Sequence, residues 1–373
     1  MYKWIISIIF LCSCTTQFYM DLASEDVEEK KFKKTENHIA SDLSFPLKET
    51  AIIDHYRSIN PTPILVQDNL LYTTKNGRFF SYSLATKKLL VKESYSYGTN
   101  LSPIVLKSYL VLFSSVGKES VQVFTLKGEE VWKKDIPYGI ESQPVVDGEH
   151  IYVAAANGMV YSLSLETGAV HWEKQMRKPV HAPLNMYHDL LLIADDKGHL
   201  SALSKSSGTE IWSINSGKGA SYTKPVVLGN TVLFTTINGY IAQINVMSGH
   251  IIWERTLSSP IYSTPSSDGI HIYLGSNDGN LYKLDFDGKV VWKSQTHSNI
   301  NSQVLVGNQY VYFGTSQGNF FIIDKHTRDI KWQRKFKGRF ISSPLFWNGS
   351  LIVFSDNDDV LLLEEDRETV ASQ

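Results

Sequence analysis

The chain of 373 residues has only two cysteines, Cys12 and Cys14, and both lie near its N-terminus. Beyond them there are no disulfides and no thiol ligands for a metal. The eleven histidines are scattered, and none has the spacing of a metal-ligand motif, so no metal site is predicted. The net charge is −2, which excludes a general attraction to nucleic acid or acidic lipid.

Helical periodicity and catalytic motifs are also missing. No window beyond the N-terminus shows a sustained helical period, which argues against a helical or mixed fold. The segment 314–318 matches the pattern of a hydrolase nucleophile elbow, but it lies at a turn that recurs in the preceding copy of a repeat. The acidic segment 355–359 lacks the spaced ligands of a calcium loop. We therefore predict that the protein is not an enzyme and has no cofactor.

What the chain does have is a repeat of about forty residues. A glycine ladder from Gly77 to Gly318 and a proline ladder from Pro63 to Pro344 run in phase, with Val304 at the one vacant proline position. Six of the eight tryptophans follow the same period: Trp132, Trp172, Trp212, Trp253, Trp292 and Trp332. A fixed period of this length indicates a repeat array, in which each unit buries its apolar face on the next.

Each copy contains four short runs rich in Val, Ile, Tyr and Leu, with alternating polarity, separated by Asn-Gly, Asp-Gly and Thr-Gly turns. This pattern predicts four antiparallel strands joined by tight hairpins. Four strands in every copy predict an all-β fold, a β-propeller. One tryptophan at a fixed place in each copy is expected to pack between blades, since stacking on a ligand would require a position near the axis.

The ladders give eight copies, and the eighth ends without its outer strand. Counting back from Pro63 by one interval places a strand at about residues 49–57. We expect this N-terminal strand to complete the last blade and close the ring, because closure removes two exposed sheet edges. The predicted domain is an eight-bladed propeller over residues 46–373.

The N-terminus has one basic residue, a short apolar run and small residues, which indicates a signal peptide over residues 1–13. The segment Leu11–Cys14 resembles a bacterial lipobox, so Cys14 is the predicted lipidation site; the alternative is an ordinary cleaved signal that happens to contain cysteines. Residues 14–45 are polar and are predicted to be a flexible tether. Because Thr15 is not the aspartate that retains lipoproteins at the inner membrane, we expect an anchor in the outer membrane, with the propeller facing the periplasm.

The repeat unit resembles the propeller repeats named for pyrroloquinoline quinone, most clearly over 158–172 and 279–292. The anchor, the tether and eight copies resemble the BamB family of lipoproteins. That resemblance implies a non-catalytic scaffold of the β-barrel assembly machinery, with BamA-type POTRA domains, other barrel-assembly lipoproteins and unfolded outer-membrane proteins as partners. It places partner contacts in two loops, at Met176, Arg177, Lys178 and Lys218. The alternative is a propeller that binds a quinone or another small molecule in its axial channel, as an enzyme or a sensor.

One local charge pattern departs from the balanced composition. Six basic residues crowd the predicted outer strand of the seventh copy and the turn after it: Arg328, Lys331, Arg334, Lys335, Lys337 and Arg339. They form either a surface patch or a solvated strand edge that charge protects from aggregation. The sequence leaves both readings open.

Overall fold

The structure is a computed structural model that describes residues 43, 45, 47–54, 63–95, 98–106, 108–115, 117–356 and 359–365. The predicted signal peptide, Cys14 and almost all of the tether lie outside these ranges, as do residues 55–57 of the predicted closing strand.

The alternating apolar runs form thirty-two strands, four in each repeat. In the first four blades the strands are β2 (Ile64–Val66), β3 (Asn69–Thr73), β4 (Arg78–Ser83) and β5 (Lys88–Ser94); β6 (Ile104–Leu106), β7 (Tyr109–Phe113), β8 (Val121–Thr125) and β9 (Glu130–Lys134); β10 (Val145–Val146), β11 (His150–Ala154), β12 (Met159–Ser164) and β13 (Val170–Gln175); and β14 (Asn185–Tyr187), β15 (Leu190–Ala194), β16 (His199–Ser204) and β17 (Glu210–Asn215). In blades 5 to 7 they are β18 (Val226–Leu228), β19 (Thr231–Thr235), β20 (Tyr240–Asn245) and β21 (Ile251–Thr256); β22 (Ser266–Ser267), β23 (Ile272–Gly275), β24 (Asn280–Leu284) and β25 (Val290–Gln295); and β26 (Leu305–Val306), β27 (Tyr310–Gly314), β28 (Asn319–Asp324) and β29 (Ile330–Lys335). Blade 8 contains β30 (Leu345–Trp347), β31 (Ser350–Phe354) and β32 (Asp359–Glu365), together with β1 (Leu47–Asp54).

Each sheet has four antiparallel strands, in chain order in blades 1 to 7, and the eight sheets form an eight-bladed β-propeller. The predicted fold class is confirmed. In blades 1 to 7 a register shift interrupts the pairing of the outermost strand directly before the tryptophan or, in blade 1, directly before Val91, as between Ser162 and Leu163 in blade 3. Such a bulge re-aims the side chains that follow it, and here it places the tryptophan side chain toward the neighbouring blade.

Blade 8 is closed by the N-terminal strand. Its strand order is β1-β32-β31-β30, and β1 pairs along its length with β32, from Leu47 opposite Glu365 to Asp54 opposite Asp359. The strand therefore lies where the repeat count placed it, although it begins at Leu47 rather than near residue 49. Pairing the first strand with the last joins the two ends of the described chain in one sheet and ties the ring shut.

The core lies between blades rather than within them, because each sheet buries both faces of its inner strands. One buried cluster joins Val111 and Val123 of blade 2 to Ile151 and Leu163 of blade 3. Another joins Leu192 of blade 4 to Val232 of blade 5. The two middle strands of each blade are consequently almost fully buried and most innermost strands are half-buried, whereas the outermost strands of blades 1 to 7 have mainly exposed and half-buried side chains.

Candidate functional site

The repeated tryptophans lie at the junctions between blades. The indole Nε1 of Trp172 in blade 3 donates a hydrogen bond of 2.7 Å to the carbonyl oxygen of Lys205 in blade 4. The equivalent bonds of Trp132, Trp212, Trp253 and Trp292 reach Leu165, Val246, Phe286 and Lys325 at 2.8, 3.0, 2.7 and 3.2 Å. Trp332 packs against the buried cluster shared by blades 7 and 8. These positions are on the outer strands, far from the innermost strands that surround the axis.

Four of the six indole rings also rest on a glycine of the next blade, a contact that the sequence pattern did not reveal. A Cβ atom on Gly208 would lie 2.6 Å from Cε3 of Trp172, and the backbone there has a φ of +70°. Gly168, Gly249 and Gly288 lie in the same way against Trp132, Trp212 and Trp253. The Thr-Gly and Ser-Gly turns thus serve two purposes, because glycine supplies the left-handed backbone and leaves room for the ring.

Alanine at Gly208 is therefore expected to lower the free energy of unfolding by about 2–3 kcal/mol, through backbone strain and a clash with the Trp172 ring. The matched control is Gly229→Ala, since Gly229 has a φ of +59° but nothing within 4 Å of the added Cβ. The free energy of unfolding of that control should fall by only about 1 kcal/mol. Urea unfolding of both variants checks this, and equal losses would show that the ring contact contributes nothing.

Two ion pairs, one of them buried, join neighbouring blades at the same junctions. Lys325 Nζ of blade 7 lies 2.9 Å from Asp268 Oδ2 of blade 6, and both side chains are less than a tenth exposed. Tyr273 donates a hydrogen bond of 3.0 Å to the same carboxylate oxygen. Burial alone would raise the pKa of Asp268, but Lys325 and two backbone N–H groups lower it to about 2. Blades 3 and 4 repeat the arrangement with Asp147, Tyr152 and Lys205, at 3.1 Å between the charged atoms.

The first loop with predicted partner contacts follows β13. Met176 is only 6% exposed and belongs to the buried cluster between blades 3 and 4, so its side chain packs the core and is not accessible to a partner. Arg177 is half exposed, and its guanidinium group pairs with both carboxylate oxygens of Glu210 at 2.9 Å. Lys178 is exposed. The loop therefore presents one cation that is paired, Arg177, and one that is exposed to solvent, Lys178.

The second predicted loop follows β17 on the same side of the ring. Lys218 is exposed, and its backbone carbonyl accepts a hydrogen bond of 2.8 Å from Thr236 Oγ1, which fixes the loop to blade 5. Tyr222 in this loop is 44% exposed and lies edge-on to His181, with ring centroids 6.1 Å apart. The structure thus brings both loops together around His181, a residue that sequence reasoning did not select.

His181 connects three segments of this surface. Its Nε2 lies 2.6 Å from Glu141 of the preceding loop, and its Nδ1 lies 2.7 Å from Asp196 in the second hairpin of blade 4. Burial by itself lowers the pKa of His181, but the two carboxylates outweigh it and raise the pKa above its usual value. The imidazolium form is favoured, and it ties the loops after β9 and β13 to one another.

Two grooves lie on this side of the ring. One, of about 460 Å³, runs between the turn at Ser115–Gly117 and the loop at 135–139, where Tyr138 is 76% exposed. The other, of about 240 Å³, lies beside Arg177 and Glu210.

Within the described ranges, no three His, Cys, Asp or Glu side chains form a group that could hold a metal ion. Among these same residues, no helix has the length and apolar character needed to cross a membrane.

Comparison with known proteins agrees with this architecture. A family model described as "Outer membrane protein assembly factor BamB" matches residues 117–224, 196–319 and 277–370, which together cover more than half of the chain. The BamB protein of Legionella pneumophila is 28% identical over 197 residues, covering 49% of this chain and 50% of the relative. That of Alkalilimnicola ehrlichii is 27% identical over 198 residues, covering 49% and 50%. The chain spans about half the length of the curated relatives it matches.

Solved structures show the same fold at low sequence identity. The crystal structure of BamB from Moraxella catarrhalis superposes with a TM-score of 0.70 at 17% identity, over 86% of this chain and all of that one. A europium-containing methanol dehydrogenase also superposes, with a TM-score of 0.70 at 12% identity over 83% of this chain and 85% of that one. At these identities the likeness extends to the propeller fold alone. The repeat architecture and the family match over residues 117–370 show that this chain belongs to the family of outer membrane protein assembly factor BamB.

Proposed function

We propose that this protein is a non-catalytic scaffold of outer-membrane β-barrel assembly. The observation that carries the proposal is the BamB family match over residues 117–370, on a complete eight-bladed ring. A rigid ring held by inter-blade tryptophans and ion pairs suits a scaffold, because its surface loops keep fixed positions relative to one another. The resemblance to methanol dehydrogenase is one of fold and does not favour catalysis.

The proposed location is the outer membrane, with Cys14 lipidated and the propeller in the periplasm. The family assignment supports the membrane, since the relatives are named as outer membrane assembly factors. The lipobox at Leu11–Cys14 supports the mode of attachment. Both features lie in the sequence rather than in the described structure, so a labelled-acyl-chain experiment on wild type and Cys14→Ala tests them directly.

The proposed partner surface consists of the loops after β13 and β17, and the proposed partners are a BamA-type POTRA domain, the companion barrel-assembly lipoproteins and unfolded outer-membrane proteins. Lys178 and Lys218 are exposed there, and Arg177 stands beside the groove at Glu210. Charged groups at the rim of an interface chiefly set the rate and register of association. Lys178 is the sharpest probe, because it has no ion pair within the described structure that its replacement would break.

Reversing the charge of this surface is expected to weaken partner recovery about tenfold, which corresponds to about 1.4 kcal/mol. The variant Arg177→Glu with Lys178→Glu, and Lys178→Glu alone, should each lower the amount of BamA-type protein that co-purifies with the tagged chain from detergent extracts. The double variant should have the larger effect, because it also places two carboxylates together at Glu210.

The matched control is Lys127→Glu with Lys134→Glu, which makes the same charge change on and beside the outer strand of blade 2. It should leave recovery unchanged, and thermal unfolding of all variants should confirm an intact ring. Wild-type recovery with both loop variants would remove this surface from the interface. If the wild-type chain itself recovered no barrel-assembly protein, the scaffold proposal would be wrong.

A further inference from the structure

The outer edge of blade 7 is a basic stripe that runs from one side of the ring to the other. It consists of the turn before β29, the strand itself and the turn after it. β29 has six residues, which makes it about 20 Å long. All of its side chains except that of Trp332 are exposed, and so are Arg328 and Lys337 at its two ends.

The excess of positive charge is specific to this blade. Between residues 328 and 339, Asp329 is the only acidic residue among six basic ones. The equivalent segment of blade 2, residues 128–139, sets Lys133 and Lys134 against Glu129, Glu130 and Asp135. Protecting a strand edge from aggregation requires only a few charges, and blade 2 achieves this without a net positive charge. The stripe therefore has more charge than edge protection explains.

Part of this charge has no acidic partner within the described structure. Arg334 lies 3.8 Å from Glu49, Arg339 lies 2.6 Å from Asp356, and Lys331 lies 3.3 Å from Asp329. Lys335 donates only to a backbone carbonyl, that of Gln317. Arg328 and Lys337 have neither an ion pair nor a hydrogen bond from their side chains among the described residues.

Arg328 also has a strained backbone. Its φ is +70°, at the turn where Gly168, Gly208, Gly249 and Gly288 supply the left-handed conformation in other blades. A side chain in this region costs of order 1 kcal/mol relative to glycine.

The path of the chain places this stripe near the proposed anchor. The first described residues pack against blade 7: Leu43 N donates to the hydroxyl of Tyr312, and the Phe45 ring lies 5.3 Å from that of Tyr310. Glu49 of β1 then pairs with Arg334 on the stripe itself. A segment of 42 residues precedes Leu43. If Cys14 anchors the chain as proposed, the tether joins the ring beside blade 7, and the stripe is close to the point of attachment.

We propose that the outer edge of blade 7 binds the anionic headgroups of a phospholipid bilayer and so orients the ring on the membrane. Basic side chains at an anionic surface each contribute about 1 kcal/mol, within a Debye length of the lipid phosphates. Arg328, Lys335 and Lys337 supply the unpaired charges, and the exposed side chain of Ile330 lies between them at the bilayer surface. This inference uses the proposed anchor for proximity but is independent of any protein partner.

The test is a lysine-acetylation footprint of the full chain, read by mass spectrometry. The chain is bound to vesicles of phosphatidylcholine alone, or of phosphatidylcholine with phosphatidylglycerol, and the bound fraction is isolated by flotation before labelling. In anionic vesicles, Lys335 and Lys337 should be acetylated about fivefold more slowly than in neutral ones, which corresponds to about 1 kcal/mol. Lys127 and Lys134 of blade 2 are the internal control and should not change.

Salt gives a second readout, because the Debye length falls to about 3 Å at about 1 M salt. Protection of the blade 7 lysines should disappear under that condition. Equal labelling in the two vesicle types would overturn the proposal, as would equal protection of the blade 2 lysines. If the chain did not float with neutral vesicles, that result would contradict only the proposed lipid anchor. Labelling in the anionic vesicles would still test whether the outer edge of blade 7 binds anionic headgroups.

Discussion

Replacing Lys325 with methionine is expected to lower the free energy of unfolding by about 3–5 kcal/mol, because it leaves a buried carboxylate without its charged partner. Asp268 and Lys325 come from different blades, and their side chains are 5% and 8% exposed. Lys325 also donates to the carbonyl of Gly307 at 3.0 Å, and that acceptor loses its partner in the variant. Urea unfolding monitored by tryptophan fluorescence measures the loss.

The equivalent variant of the second pair, Lys205→Met, is the matched control. Both Lys205 and Asp147 are 18% exposed, so water screens the carboxylate that remains and the loss should be smaller. The double variant Asp268→Asn with Lys325→Met should recover part of the stability, because no charge is then buried. A loss in Lys325→Met no larger than in Lys205→Met would contradict the argument.

The loss of stability at acid pH gives an independent check on the Asp268–Lys325 pair. Asp268 has a folded-state pKa of about 2 against an ordinary value of 3.8. Its contribution to stability is therefore fully present above pH 3.8 and is lost as the pH falls toward 2. In Lys325→Met the sign reverses: protonation removes the unpaired charge, and the deficit relative to wild type should narrow as the pH falls through the same range.

The second large effect is expected for Trp172→Ala, with a loss of about 3–5 kcal/mol. The indole ring is packed against Gly208 and donates to the carbonyl of Lys205, so the change opens a cavity between blades 3 and 4 and leaves that carbonyl with only the longer hydrogen bond of 3.5 Å from the Tyr152 hydroxyl. Trp172→Phe retains a ring but removes the hydrogen bond, and it should cost about 1–2 kcal/mol. Thermal or urea unfolding resolves the difference.

Tyr138→Ala is the control for removing an aromatic ring. Tyr138 is 76% exposed, so the change should alter stability by no more than about 0.5 kcal/mol. If Trp172→Ala behaved like Tyr138→Ala, the tryptophans would not be blade-packing residues. They would then be candidates for the contact surface of a partner on the outer rim.

The repeat itself was readable from the sequence because identical physical demands recur in every blade. Tight hairpins require glycine after asparagine, aspartate or threonine, and strands buried on both faces require Val, Ile, Leu and Tyr, so the pattern returns every forty or so residues. The closing strand at Leu47–Asp54 was also predictable, because a ring with seven complete blades and one incomplete blade has only one strand available to fill the gap. Turn residues and strand polarity depend on short stretches of the chain, so a repeat of them can be read directly from the sequence.

The candidate site was harder to predict from the sequence, because its contacts join residues from different blades. The loop at 176–178 reads as three similar surface residues, yet Met176 is buried and Arg177 is held by Glu210, thirty-three residues later. The loop resemblance selected Lys178 and Lys218, whose side chains are exposed, but did not select His181 and Tyr222, which contact each other across the two loops. Which side chain of a loop faces outward depends on the neighbouring blade, and that blade is placed only by the closed ring.

By itself, the sequence determined the strand pattern, the eightfold repeat and the strand that closes the ring. Only the tertiary structure decided which charges are satisfied. Asp268 and Lys325 are fifty-seven residues apart and pair because adjacent blades share a buried junction, whereas Arg328 and Lys337, on the outer edge of blade 7, have no ion pair among the described residues. Local propensity fixes each blade, but electrostatic pairing depends on distances across blades, and these exist only once the ring has closed.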